Sequence, residues 1–281
     1  KIHHRKFALA VSNGTMALDI AIKSLGLKEN DEIITTPRSY YASAISIINN
    51  RIKIKFCDIE INSHNLDPAS VEANITPHTK AIMAVDIFGH SADMDALRKI
   101  ANKHDLKIIS DTAQAPGAMY KGKYAGTMAD IGGYSLNYHK HIHTGEGGII
   151  VTNDDNLAER LQLIRNHGEC VVEGKGVQKL NNIVGYNFRL GEIESAIGIE
   201  QLKKLKGYTD SRKKIANRLS EGLICLDGLK TPVVKDNCSH VYYNFPMIVD
   251  IEKLGCSKFK IADALRAEGV ELATAYQNIH L

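Results

Sequence analysis

The sequence predicts an α/β fold, a mostly parallel central sheet with helices on both faces, followed by a smaller α+β unit. Two observations carry this. Between residues 7 and 166, short β-rich apolar runs alternate with stretches of helical periodicity, the signature of strands joined through helical crossovers. Beyond that point the pattern changes to one long charged helical stretch and then a short mixed region. The long stretch is the natural boundary between two units, here set at 1–205 for the large one and 206–281 for the small one.

Phe7-Ala-Leu-Ala-Val11 reads as a short buried strand, followed by Ser12-Asn-Gly-Thr15 and a helix through Met16, Ala17, Ile20, Ala21 and Leu25. A strand of Asp31 to Thr36 is ended by Pro37, and a helix over Ser39 to Ile48 is entered through a loop. The alternation continues with strand Ile52 to Asp58, helix Pro68 to Ile75, strand Ala81 to Phe88, helix Met94 to His104 and strand Lys107 to Ser110. Lys140 falls on a tight loop between two strands, the second being Gly148-Ile-Ile-Val-Thr152. A helix over Asn156 to Asn166 precedes a glycine-rich stretch, His167 to Asn182, that reads as an extended mobile loop. Helices from Glu192 to about Leu205 and on through Arg212 to Leu223 follow, then a strand Val241 to Val249 and a helix Lys258 to Glu268. Both ends read as if cut from a longer protein.

Composition narrows the function classes. The 281 residues carry 35 basic and 32 acidic side chains, a net charge of +3, with no basic block or aromatic-interleaved basic stripe, so no nucleic-acid partner is expected. Cys57, Cys170, Cys225, Cys238 and Cys256 are scattered and free of Cys-x-x-Cys spacing, which predicts neither disulfides nor a metal site and suits a reducing cytoplasm. The apolar runs are too short to span a bilayer, so no membrane association is expected. No G-x-G-x-x-G follows a predicted strand, which weighs against a dinucleotide-dependent dehydrogenase.

Three features suggest chemistry. Ser12-Asn-Gly-Thr15 places a helix N-terminus and a small Gly14 where an anion could approach unpaired N–H groups, although the same residues also serve as an ordinary N-cap. Asp111 ends a strand at the sheet edge where open α/β folds bind ligands, and a turn or capping role competes with that reading. Lys140, flanked by His139, His141 and His143, is either a solvated loop lysine or an amine desolvated for covalent chemistry. Amine, carboxylate, aromatic surface and phosphate cup together are what pyridoxal phosphate requires, the cofactor then supplying the electron sink.

The order of the motifs resembles the DegT/DnrJ/EryC1/StrS family of sugar-nucleotide aminotransferases. The stretches that carry it are Ser12-Asn-Gly-Thr15, Pro37-Arg-Ser-Tyr-Tyr-Ala-Ser43, Phe88-Gly-His-Ser-Ala-Asp-Met-Asp95, Asp111-Thr-Ala-Gln-Ala-Pro-Gly117, Ser135-Leu-Asn-Tyr-His-Lys140, Thr144-Gly-Glu-Gly-Gly148, Arg165-Asn-His-Gly168 and Gly185-Tyr-Asn-Phe-Arg189. The resemblance implies a fold-type-I pyridoxal-phosphate transferase. It implies that Lys140 binds pyridoxal 5'-phosphate as an imine and shuttles the proton, Asp111 holds the ring nitrogen protonated, Gln114 bonds the ring hydroxyl and Tyr40 stacks on the ring. Gly14, Thr15 and Ser135 would hold the phosphate, with Asn187 reaching it from the neighbouring subunit of a homodimer with shared active sites. An amino-acid donor, glutamate by resemblance, and a nucleotide-linked keto-deoxysugar acceptor are the implied substrates, in the service of amino-sugar synthesis.

Some residues depart from the family pattern. Leu136 stands where an aromatic is usual, and Ser110 and Thr112 replace the more usual acidic and small residues beside Asp111. Dehydratases of the same family carry histidine in place of the lysine; the spacing from Ser135 and to Thr144-Gly-Glu-Gly-Gly148 puts Lys140 in that slot. Two more readings compete with the transaminase: a different carbon–nitrogen or carbon–sulfur reaction on the same cofactor, and a non-catalytic regulator that binds it.

Overall fold

A seven-stranded sheet organises the chain, and its strand order explains where the chemistry can sit. The computed structural model describes residues 5–169, 183–274, 276 and 279; most of the stretch expected to be a mobile loop, 170–182, lies outside them. The elements are β1 (Phe7–Val11), α1 (Gly14–Leu25), β2 (Glu32–Thr35), α2 (Tyr41–Asn49), β3 (Lys53–Phe56), α3 (Pro68–Ala73), β4 (Thr79–Val85), α4 (Met94–Lys103) and β5 (Lys107–Asp111). A small hairpin, β6 (Met119–Tyr120) and β7 (Lys123–Tyr124), comes next, followed by β8 (Ile131–Ser135), β9 (Gly148–Thr152) and α5 (Asp155–Arg165). Then come α6 (Glu192–Leu223), β10 (Leu229–Lys230), β11 (Ile248–Val249), α7 (Ile251–Leu254) and α8 (Lys258–Ala267).

The sheet order is β1-β9-β8-β5-β4-β2-β3. Neighbours from β8 to β3 are parallel, while β9 runs antiparallel to both β8 and β1. The reason is local: residues 136–147 contain no helix, so β9 cannot cross over and must return beside β8 as a hairpin, Ser135 opposite Gly148.

Adjacent residues of the central strands feed opposite faces, as the two-residue period demands. Ile33, Met83 and Ile109 join α1, α2 and α5 in one core; Ile34, Ile82 and Ile108 join α3 and α4 in the other. Gly132 in β8 is obligatory, because a Cβ there would lie 2.1 Å from the Gly126 carbonyl oxygen.

Three expectations change. The strand expected over Ala81 to Phe88 stops at Val85; Phe88 turns out of it with a φ of 57°, a left-handed conformation rare for a bulky residue. The two helices expected over 192–223 form one unbroken helix of 32 residues, roughly 48 Å long at 1.5 Å per residue. Finally, of the strand expected over Val241 to Val249 only Ile248–Val249 pairs, with Leu229–Lys230. Tyr242 has a φ of 51°, which breaks extended geometry, and Val241 N instead donates to Gly89 O at 2.9 Å, strapping this segment across the turn that follows β4. No helix among the described residues is long and apolar enough to cross a membrane.

Candidate active site

The C-terminal ends of β2, β4 and β5 all open on one sheet edge, where open α/β sheets concentrate ligand-binding groups. Asp111, the last residue of β5, is buried there. Its Oδ2 accepts from Ser43 Oγ at 2.7 Å, Ser43 Oγ in turn pairs with Ser39 Oγ at 2.7 Å, and its Oδ1 accepts from Ala113 N at 3.2 Å. Burial raises the Asp111 carboxyl above the usual carboxylate range, opposed by the Ser43 and Ala113 hydrogen bonds and by the charge of Lys140.

Lys140 is carried by the β8–β9 hairpin loop. Its backbone N donates to Asn137 O at 2.9 Å, and the loop is closed by Leu136 N to Gly147 O at 2.7 Å and Thr144 N to Leu136 O at 2.9 Å. The ammonium lies over the Tyr243 ring, 4.5 Å from its centroid and 3.5 Å from its hydroxyl. Burial lowers the amine's pKa below that of an ordinary lysine, with the charge of Asp111 pulling the other way. The two groups therefore feel each other, yet among the described residues no carboxylate stands within ion-pair distance of Lys140.

The histidines flanking the lysine point elsewhere. His139 is exposed and packs edge-on against Tyr138, 4.4 Å between centroids. His141 is buried, and its Nε2 donates to Val241 O at 3.0 Å; burial pushes its pKa down to about 4, so the ring is neutral.

Gly14 opens α1 directly against Ser135 at the end of β8: a Cβ at position 14 would lie 2.7 Å from Ser135 Cβ. Asn13 caps the helix by accepting from Met16 N at 2.9 Å, which leaves the N–H groups of Gly14 and Thr15 in the first turn, where no intrahelical partner exists. Gly14, Thr15 and Ser135 are thus brought together. Tyr40 is the N-cap residue of α2 and is 56 % exposed, its ring beside Tyr41. Gln114 uses both ends of its amide within the chain: Oε1 accepts from Phe88 N at 2.8 Å and Nε2 donates to Tyr276 Oη at 2.7 Å. Asn187 is exposed, in a segment bridged to Asn166, and the carbonyl of the next residue, Phe188, accepts from Ser12 N at 2.9 Å, just before the start of α1.

Sequence reasoning missed four participants. Ser43 was visible only as part of a motif; its spacing of four from Ser39 on a helix start was the signal for the relay. Tyr243 was hidden in an apparent strand, and Tyr276 has no local signature. Asp86 sits next to Asp111, its N donating to Asp111 O at 2.9 Å. Its own Oδ2 accepts from Ser110 Oγ at 3.0 Å and Thr112 Oγ1 at 2.7 Å, and complete burial pushes its pKa up to about 6. The hydroxyls at 110 and 112, which depart from the family pattern, are therefore the partners of a carboxylate supplied by the next strand.

The DegT/DnrJ/EryC1/StrS aminotransferase family profile matches residues 1–281. The chain belongs to that family. It is 34 % identical to the GDP-perosamine synthase of Caulobacter vibrioides over 98 % of this chain and 73 % of the relative. Its fold superposes on an aminotransferase from Psychrobacter cryohalolentis with a TM-score of 0.94 at 30 % identity, covering 99 % of this chain and 75 % of the other. It also superposes on the Escherichia coli GDP-4-keto-6-deoxy-D-mannose-3-dehydratase with bound hydrated PLP, TM-score 0.86 and 30 % identity, covering 96 % and 73 %. The fold is that of the pyridoxal-phosphate-dependent aminotransferases, the enzyme is of that class and its cofactor is pyridoxal phosphate. The residues present fit that group: a buried amine and a buried carboxylate feel each other's charge without an ion pair, and the helix N-terminus at Gly14 has no side chain to obstruct it.

Proposed function

We propose that this enzyme moves an amino group from an amino-acid donor, glutamate, to the keto group of a nucleotide-linked deoxysugar. The observation that carries the reading is the setting of Lys140, whose buried amine has a lowered pKa and feels the charge of Asp111. Bound there, pyridoxal phosphate supplies an electron sink that lets a Cα–H bond break.

In this reading Lys140 would hold the cofactor, and its Nζ would carry the proton between carbon atoms of the substrate. Asp111 would serve the ring nitrogen, its ionised form favoured by the Ser43 hydroxyl against the effect of burial. Gly14, Thr15 and Ser135 bind the phosphate at the start of α1. Tyr40 would lie against the ring, and Gln114 would serve the ring hydroxyl. Asn187 completes the phosphate site of a second copy, so the working unit is a cytoplasmic homodimer. Its exposure, and that of the apolar Ile193, Ile197 and Ile199 on the nearby start of α6, support that arrangement.

The dehydratase reading has one observation in its favour, the family relationship to a sugar dehydratase. Against it, His139 faces solvent and His141 is spent on Val241 O, so an amine occupies the position that a histidine base would need. The deciding experiment is the visible spectrum of the cofactor-loaded protein with and without glutamate, followed by mass spectrometry after adding a 4-keto-6-deoxysugar nucleotide. Loss of the lysine-bound band with glutamate and an amino-sugar product are expected. A deoxygenated product, or a band indifferent to every amino donor, overturns the proposal.

A further inference from the structure

Arg38 lies in the loop that leaves β2 at the same sheet edge as Asp111, and its guanidinium is a partly buried cation without a counter-charge. Its central carbon sits 5.6 Å from the centroid of the Phe88 ring. The buried Nε has no hydrogen-bond partner, and no carboxylate stands within ion-pair distance of the guanidinium among the described residues. A desolvated cation left unpaired is costly, whereas the guanidinium fork is built for planar or tetrahedral oxyanions.

The setting is held rigidly. Arg38 N donates to Thr36 Oγ1 at 3.0 Å, and the next residue, Ser39, is joined through Ser43 to Asp111 by two contacts of 2.7 Å. Phe88, the platform under the guanidinium, is fixed in its left-handed conformation by the 2.8 Å hydrogen bond from its N to Gln114 and by the strap from Val241 to Gly89. Tyr276 packs edge-on against the same ring, 5.2 Å between centroids, and reaches Gln114 with its hydroxyl. His64 closes the other edge at 5.5 Å; burial and the nearby Arg38 hold its pKa down to about 4, so it adds no second charge. Arg38 is therefore the cation presented beside Asp111, Gln114 and Tyr276 that the cofactor assignments leave unused.

We propose that Arg38 is the receptor for a substrate oxyanion, gripped by its fork above Phe88. This rests on the transaminase reading for what the substrates are: the oxyanion is either a carboxylate of the amino donor or the diphosphate of the nucleotide sugar. Neither needs the residue to touch the cofactor.

Calorimetric titration of cofactor-loaded protein with glutarate, which offers the donor's carboxylates without an amine, and separately with UDP, GDP and dTDP distinguishes the sources. In Arg38→Gln, binding of glutarate or of the nucleoside diphosphate that binds wild type weakens about tenfold or more, the loss of one charge-assisted contact. Arg38→Lys, which keeps the charge and loses the fork, falls between. Retention of the visible band and of the melting temperature shows that both variants are folded and loaded. Equal binding of every probe by wild type and Arg38→Gln, or a melting loss that appears equally in Arg38→Lys, makes Arg38 a structural clamp on Phe88 and overturns the proposal. If wild type answers glutamate spectrally and Arg38→Gln does so with unchanged affinity, the inference fails while the transaminase reading stands. If wild type does not answer at all, it is that reading which fails.

Discussion

Replacing Ser43 by alanine removes the hydroxyl that donates to Asp111 and the partner of Ser39. A hydrogen bond to a charged group is worth about 1.5–3 kcal/mol and a neutral one about 1 kcal/mol. Both serines and the carboxylate are buried, so water does not restore the loss. The cofactor-free protein at pH 8 should therefore lose about 2–4 kcal/mol, on the order of 5–10 °C in melting temperature for a chain of this size. The sign with pH follows from Asp111. Its folded pKa is raised above the unfolded value of 3.8, so the folded state takes up its proton first as pH falls, and Ser43 acts mainly on the ionised form. The penalty of Ser43→Ala should be smaller at an acidic pH where the folded carboxyl is protonated than at pH 8. Urea melts of wild type, Ser43→Ala and Ser39→Ala at both pH values measure it, with Ser39→Ala expected to cost less. Equal penalties at both pH values would refute the coupling of the serine pair to the carboxylate's charge.

Three further outcomes follow from the same geometry. Lys140→Met should abolish the visible band of the loaded enzyme yet leave the cofactor-free protein as stable or about 1 kcal/mol more stable, because a desolvated amine is exchanged for an apolar chain; a clear loss in chemical melts contradicts this. Gly14→Ala forces Cβ to within 2.7 Å of Ser135 Cβ and should cost about 1–3 kcal/mol and shed pyridoxal phosphate on dialysis, measured by absorbance of the retained cofactor. Acid should destabilise the fold before general carboxylate titration: His64, His141 and His240 are held down to about 4, about 4 and about 3 against an unfolded value of 6.5. The unfolded chain thus binds protons first as pH falls below 6.5. Each histidine should remove roughly 2 kcal/mol between pH 7 and 5, with about 1 kcal/mol of the total returned by Asp86, whose raised folded pKa acts in the opposite sense; flat stability over that range would contradict their burial as neutral rings.

What could be read in advance was whatever the chain encodes over a few residues. The run Phe7 to Val11 and the capped start at Asn13 predict a strand and a helix because pattern and cap act locally, and both form where expected. Lys140 and Asp111 could be placed at an edge because each follows an apolar run that must be a strand. The misread segments are those whose conformation is decided at a distance. Phe88 continues an apolar run but leaves the strand because Gln114 and the strap from Val241 hold it. Tyr242 and Tyr243 have strand-forming composition, yet that strap spends their segment on the turn after β4 and on Lys140. Asp86 follows a parallel strand as any turn residue might; only the neighbouring strand reveals that two unusual hydroxyls were waiting for it.

Because β8 and β9 are a plain hairpin, the Lys140 amine hangs from a closed bracket whose two feet are anchored side by side in the sheet. The bonds that close the bracket, Leu136 N to Gly147 O, Thr144 N to Leu136 O, Asn137 Nδ2 to Glu146 Oε1 and Thr144 Oγ1 to Glu146 O, do not use the side chain at position 140. The side chain at the tip can therefore be exchanged while the scaffold keeps its shape, whereas an inserted residue would shift the tip relative to the Asp111 edge.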